Sequence, residues 1–245
     1  MVLAGAVLVR GQSASPSADE PISTDRPSIA NSSVVVPRGI FQAENGLQVT
    51  NNQGQTSFDA PETSLRFGIA ARTELRLGVP GYHANLPASG FGDMTAGLKQ
   101  QLGPVGQFDV SVILFVSLPT GASAISSRGY DPAVQMPWSR KLSDNWTAAG
   151  QLAVYWPTQG KTRNVTGEST FLLDRQLTKP LDAFVEYAGD FPQSGGPRHL
   201  LHFGAIYKLS PRQQVDFHVG VGLSSVAPKY FIGAGYSFRV RAISR

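Results

Sequence analysis

From Gly39 onward the chain alternates between apolar and polar side chains, and this period of two restricts its fold more than any other feature. In residues 40–50, Phe41, Ala43, Leu47 and Val49 take one parity, and Gln42, Glu44, Gly46, Gln48 and Thr50 take the other. A helix would need apolar spacing near 3.6 residues, so the pattern predicts a strand with one oily and one polar face. Residues 61–70 and 72–79 repeat it, with Leu65, Phe67 and Ile69, then Leu75, Leu77 and Val79, on the oily side. Further runs at 93–102, 108–118, 131–141, 146–156, 168–177, 181–189, 200–209, 213–223 and 230–240 bring the expected number of strands to twelve. In 108–118, Ile113 and Phe115 make the second face apolar too, as expected where a barrel interior is filled.

The charges test the parity independently. Glu44, Glu62, Arg66, Arg72, Glu74, Arg76, Asp93, Lys99, Asp109, Glu168, Asp174, Asp182, Glu186, Lys208, Asp216 and Arg239 all fall opposite the oily face; within these runs only Arg140 and Arg175 break the rule. A basic side chain turned toward lipid at the bilayer midplane costs about 2–4 kcal/mol, which gives the bias a physical cause.

The expected connections alternate in length. Long ones cover 51–59, 80–91, 119–130, 157–167, 190–198 and 224–229, and short ones surround Ala70, Pro104, Ser143, Lys179 and Ser210. Tight turns at one end and extended loops at the other define the bacterial outer-membrane arrangement, with the turns on the periplasmic side. Phe41, Trp138, Trp146, Trp156, Tyr187, Tyr207, Tyr230 and Phe238 fall near strand ends, where an interfacial girdle belongs. A soluble sandwich or lipocalin-like barrel would turn the same oily face inward; the girdle and the export-like start favour the membrane. The expected fold is all-β, a single transmembrane antiparallel up-and-down β-barrel over 39–241.

Composition agrees. Charged residues make up 16% of the chain, against roughly 25% in soluble proteins. The mean hydropathy of −0.10 does not argue against a barrel, because only alternate positions meet lipid. The longest apolar stretch, residues 1–9, is far short of the ~20 needed for a spanning helix. Followed by Arg10, Gly11, Gln12, Ser13, Ala14 and Ser15, it reads as a signal peptide over 1–15 that lacks its basic start. Residues 16–38, rich in Ser, Pro and Asp and without periodicity, read as a flexible periplasmic arm. Cysteine is absent, which removes disulfides and thiolate metal sites. The net charge of +4 is scattered rather than clustered, which argues against a nucleic-acid partner.

Four stretches, ISTDRPSIANSS at 22–33, GFGDMTAGLKQQL at 90–102, VSLPTG at 116–121 and LSPRQQVDFHVGVGLSSVAPKYFIGAGYSFRV at 209–240, resemble the family called putative MetA-pathway of phenol degradation. The resemblance implies a Gram-negative outer-membrane barrel of this size with a role in passage of hydrophobic or aromatic compounds. One departure is that residues 241–245 continue past the aromatic strand, which bears on assembly rather than on fold.

The candidate lumen-lining residues are Glu44, Glu62, Arg66, Arg72, Glu74, Arg76, Lys99, Asp109, Glu186, His202, Asp216 and His218. On neighbouring strands they would form a charged wall that selects permeants, or internal ion pairs that fill the barrel. Asp25 and Arg26 could fold back into the lumen as a plug, or lie in an exposed linker. No catalytic residue, metal site or cofactor is expected: the four histidines show no metal spacing and no nucleophile-elbow motif is present. The expected function is passive passage of small hydrophobic or aromatic molecules. The rivals are a structural or interaction barrel, and a lipid hydrolase using His202 or His218. Outer-membrane lipid and the barrel-assembly machinery complete the expected partners.

Overall fold

The computed structural model describes residues 20–84 and 88–243; the expected export segment lies outside them. Twelve long strands form the barrel: β1 (Ile40–Asn52), β2 (Gln55–Ala70), β3 (Thr73–Val79), β4 (Met94–Val105), β5 (Phe108–Leu118), β6 (Asp131–Lys141), β7 (Trp146–Tyr155), β8 (Thr166–Gln176), β9 (Leu181–Pro192), β10 (Arg198–Ser210), β11 (Gln213–Gly222) and β12 (Tyr230–Arg241). Each pairs antiparallel with its neighbour in sequence. β12 returns to pair with β1 from Ile40 opposite Arg241 to Asn51 opposite Tyr230, so the sheet closes. Closure is what a lipid environment demands, because a free strand edge in hydrocarbon would leave backbone groups without partners.

The oily parity faces outward. Leu75, Leu98, Leu114, Leu152, Phe171 and Phe217 are exposed on the outer wall, Phe217 to 55%, whereas Glu44, Glu74, Lys99, Glu186 and His202 are fully buried inside. A soluble barrel would show the reverse. Ile113 is buried within, and Phe115 lies edge-on to Tyr155 at 6.2 Å.

The ends of the barrel differ from the sequence expectation in four places. The expected long connection at 51–59 is a two-residue turn: β1 runs on to Asn52, β2 starts at Gln55, and Gln53 and Gly54 both adopt positive φ. Paired positive φ values are what two-residue hairpin loops require. The β4–β5 turn lies at Gly106, which has positive φ, and not at Pro104, which pairs with Asp109 inside the ladder. The connections at 80–91 and 157–167 contain small strands of their own, Tyr82–Ala84 with Ser89–Phe91 and Thr158–Gln159 with Thr162–Arg163. All four departures lie where both sheet faces meet water and no period-two pressure acts.

Residues 20–38 run through the barrel. The Ile22 amide donates to the Pro211 carbonyl at the short-turn end (2.9 Å), and Ile22, Ala30, Val35 and Val36 are buried against the inner wall.

Candidate functional site

On one side of the lumen, strands β1 to β4 bring five charged residues together. Arg66 donates to Glu44 through Nη1 (2.8 Å) and to Glu74 through Nε and Nη2 (2.9 Å each), and Arg76 reaches Glu74 at 3.1 Å. Lys99 on β4 is fully buried beside them and donates to the Val34 carbonyl (2.8 Å). This cluster therefore holds three cations, Arg66, Arg76 and Lys99, against two carboxylates, Glu44 and Glu74.

The missing negative charge comes from the arm. Asp25 lies 3.3 Å from Arg66, 2.5 Å from Arg76 and 3.6 Å from Lys99. Its neighbour turns the other way: Arg26 reaches Glu62 on β2 (2.8 Å), Asp216 on β11 (3.4 Å) and the Ala234 carbonyl (3.3 Å). The guanidinium has room because Gly46 and Gly235 face it; a Cβ at Gly46 would stand 2.1 Å from the Arg26 guanidinium carbon. Adjacent residues of opposite charge thus answer two clusters of opposite charge.

Wall carboxylates also hold the arm by its backbone. Glu44 accepts the amides of Asp25 and Arg26 (2.9 and 3.1 Å), Glu186 those of Ile29 and Ala30 (2.8 and 2.7 Å), and Glu74 that of Val36 (2.6 Å). Glu186 also bonds His202 Nδ1 (2.8 Å), and His202 Nε2 meets His218 Nδ1 at 3.1 Å. Such charge-assisted bonds are worth roughly 1.5–3 kcal/mol each.

Of the sequence-predicted lumen residues, Glu44, Glu62, Arg66, Glu74, Arg76, Lys99, Glu186, His202, Asp216 and His218 gather around the arm. Two do not join them. Arg72 lies in the β2–β3 turn, and Asp109 is the second residue of β5, opposite Ser139 near the short-turn end. Neutral partners went unread in the sequence: Asn31 donates to Gln151 and Gln135 (2.8 and 3.1 Å), Gln214 to Thr24 (2.7 Å), and the Ser111 hydroxyl to the Ser33 carbonyl. Gln135, Gln151 and Gln214 lie on the polar parity, the one signal that could have marked them.

The arm divides the interior. Toward the long loops lies a cavity of about 630 Å³, floored by Asp25 to Ile29 and Asn31, with Glu62, Arg76, Leu200, His218 and Phe231 in its walls. Toward the short turns, a space of about 20 Å³ lies between Glu20, Pro21, Ser23, Val34 to Pro37, Gln42 and Arg239. That is near the volume a single water requires. At the loop end, Asp93 ties down the 119–130 connection by accepting the amides of Gly121 (2.8 Å) and Ser127 (3.1 Å). Desolvation pushes the Asp93 carboxyl up, but hydrogen bonds from Gly121, Ser126, Ser127 and Thr120 outweigh it and hold the group below the usual carboxylate range.

A closed, even-numbered antiparallel barrel with an oily outer girdle and a charged interior is a transmembrane β-barrel of the bacterial outer membrane. The chain belongs to the family described as "Putative MetA-pathway of phenol degradation", whose family model matches residues 24–240. Among solved structures, it is similar to the COG4313 outer membrane channel from Pseudomonas putida F1, with a TM-score of 0.66 at 12% identity over 87% of this chain and 99% of that one. The NanC porin gives a TM-score of 0.60 at 8% identity over 82% of this chain and 100% of that one. The KdgM porin gives 0.57 at 10% identity over 80% and 98%. No curated protein matches the chain by sequence.

Proposed function

We propose that this protein is an outer-membrane channel for passive passage of small hydrophobic or aromatic molecules, and that its N-terminal arm closes the lumen at rest. One observation carries the closure: the cluster of Glu44, Arg66, Glu74, Arg76 and Lys99 is short of one negative charge, and Asp25 of the arm supplies it. Without the arm, that cluster would be left with three cations against two carboxylates, which favours keeping the arm in place because uncompensated buried charge is costly. Family membership and the larger cavity support the transport reading. Ile29, Val79, Leu200 and Phe231 give that cavity an apolar flank on which a small ring could rest.

The protein acts without catalysis in this reading. His202 is held by Glu186 on one nitrogen, but its other nitrogen meets a second imidazole, not a serine hydroxyl that a hydrolase would activate. The alternate aromatic residues of β12, Tyr230, Tyr236 and Phe238, would present the chain to the barrel-assembly machinery.

Two measurements test the proposal: planar-bilayer conductance of the full chain beside a variant lacking residues 20–38, and toluene entry into vesicles carrying each. The full chain is expected to be largely closed and the deletion open, with faster toluene entry. A deletion that folds and stays as impermeable as the full chain would refute the arm's role. Toluene entry no faster than into empty vesicles, with both proteins, would refute the channel.

A further inference from the structure

Arg140 and Arg175 are the two strand charges on the oily parity, and the structure gives both the same surroundings. The Arg140 guanidinium lies over the Phe108 ring at 5.5 Å and that of Arg175 over Trp146 at 5.1 Å. Trp138 extends the aromatic surface from Phe108, at 5.6 Å, to Phe171, at 6.1 Å. Each arginine is the penultimate residue of its strand at the short-turn end, and Arg175 is paired with Trp146, the first residue of β7. Among the described residues neither has a carboxylate within salt-bridge distance. The nearby Lys141 is paired with Asp144 in the turn (3.0 Å), and Asp109 and Asp174 belong to the inward parity.

We propose that this aromatic and basic patch binds the phosphate of an anionic phospholipid in the periplasmic leaflet. Three observations converge on that occupant. The patch is on the lipid-facing wall, where Phe108, Trp146 and Phe171 are exposed, so what covers it is membrane. It lies at the short-turn end, which is the periplasmic side and therefore the phospholipid leaflet. Its charge is positive and unanswered within the protein, so the complementary partner is an anion. Stacking on a ring occupies the flat face of a guanidinium and leaves the in-plane N–H groups free, and those are the groups that grip a phosphate bidentately. The two arginines stand two strands apart with a two-residue stagger, roughly 12 Å between Cα atoms. Side chains of that length, each leaning on its own ring, can serve two phosphates of neighbouring headgroups.

The experiment uses the full chain in neutral detergent, titrated with phosphatidylglycerol or phosphatidylethanolamine brominated near the headgroup, with quenching of tryptophan fluorescence as the readout. Phosphatidylglycerol is expected to quench at lower concentration than phosphatidylethanolamine. The double variant Arg140→Gln with Arg175→Gln should shift its midpoint by about tenfold while phosphatidylethanolamine is unaffected. Heat-modifiable migration on gels reports that the variant barrel is folded. If the double variant fails to fold, Arg175→Lys, which keeps the charge but loses the planar fork, should still weaken phosphatidylglycerol binding. Equal binding of the two lipids, an unshifted midpoint in the variants, or displacement of the lipid by millimolar inorganic phosphate would each overturn the proposal.

Discussion

Replacing Asp25 by Asn removes the carboxylate that balances three buried cations while leaving its shape almost unchanged. In the native lumen Asp25, Glu44 and Glu74 oppose Arg66, Arg76 and Lys99, and the substitution leaves a net charge of +1. Asp25 also accepts the Ser32 amide (2.9 Å), a bond that a carboxamide makes more weakly. Breaking a buried ion pair by removing one partner costs about 3–5 kcal/mol. If that cost falls on the docked arm, the ratio of displaced to docked arm rises by roughly two to three and a half orders of magnitude. The assay has two arms. Bilayer conductance should change from closed to frequently open, and hydrogen exchange at the Ile29 and Ala30 amides should accelerate, although these bond Glu186 and not Asp25. Restoring neutrality with Arg76→Gln in the same chain should return much of the closure, and the double-mutant cycle isolates that coupling. An Asp25→Asn channel that stays closed, with arm amides as protected as before, would refute the electrostatic account. So would opening that Arg76→Gln leaves unchanged.

Three further outcomes follow from the same geometry. Glu186→Gln weakens two amide bonds by about 1 kcal/mol each, the difference between charged and neutral acceptors; exchange at Ile29 and Ala30 should rise roughly tenfold or more with the barrel intact, and unchanged exchange would remove Glu186 from the latch. Leu114→Arg places a cation on the lipid wall at a residue now 54% exposed, and should cost about 2–4 kcal/mol in urea unfolding from vesicles; a loss below about 0.5 kcal/mol would mean that this face does not meet hydrocarbon. The Asp93 carboxyl is depressed in the folded state, so its hold on Gly121 and Ser127 is complete above the unfolded value of about 3.9 and is lost only as pH falls through the lower folded value. The Gly121 and Ser127 amide resonances should titrate with a midpoint below 3.9, and a midpoint at or above it contradicts the assignment.

The parts of the fold that were legible in the sequence are those that lipid polices. Leu65, Leu75 and Leu114 alternate with Arg66, Arg76 and Ile113 because one face meets hydrocarbon and the other does not, and that pressure sets strand number and direction. Beyond the membrane both faces are wet, so the polar stretch from Asn52 to Ser57 carried no alternation, and a strand pair with a two-residue turn read as a loop. Arg140 and Arg175 broke the rule for a physical reason: near the interface a stacked guanidinium costs little. The path of the arm was hidden because a segment surrounded by wall on all sides has no preferred face and hence no period. Its one signal was compositional. In residues 22–33, Asp25 and Arg26 are the only charges, which is economical for a segment that must satisfy one cationic and one anionic cluster.

This division of labour bears on how such a lumen opens. If side chains of the wall alone closed it, opening would require many ion pairs to rearrange separately, each within a rigid ladder. Here Asp25, Arg26, Ile29, Ala30 and Val36 belong to one continuous segment, tied by their amides to three separate wall carboxylates, Glu44, Glu186 and Glu74. Loss of any one tie loosens its neighbours, because the chain between them is short. The closed state proposed above would therefore be cooperative, with the charge shortage left in the Arg66, Arg76 and Lys99 cluster as its restoring force. Asp25 to Ile29 and Asn31 floor the larger cavity, so in the proposed channel passage depends on moving this segment and not on widening the barrel.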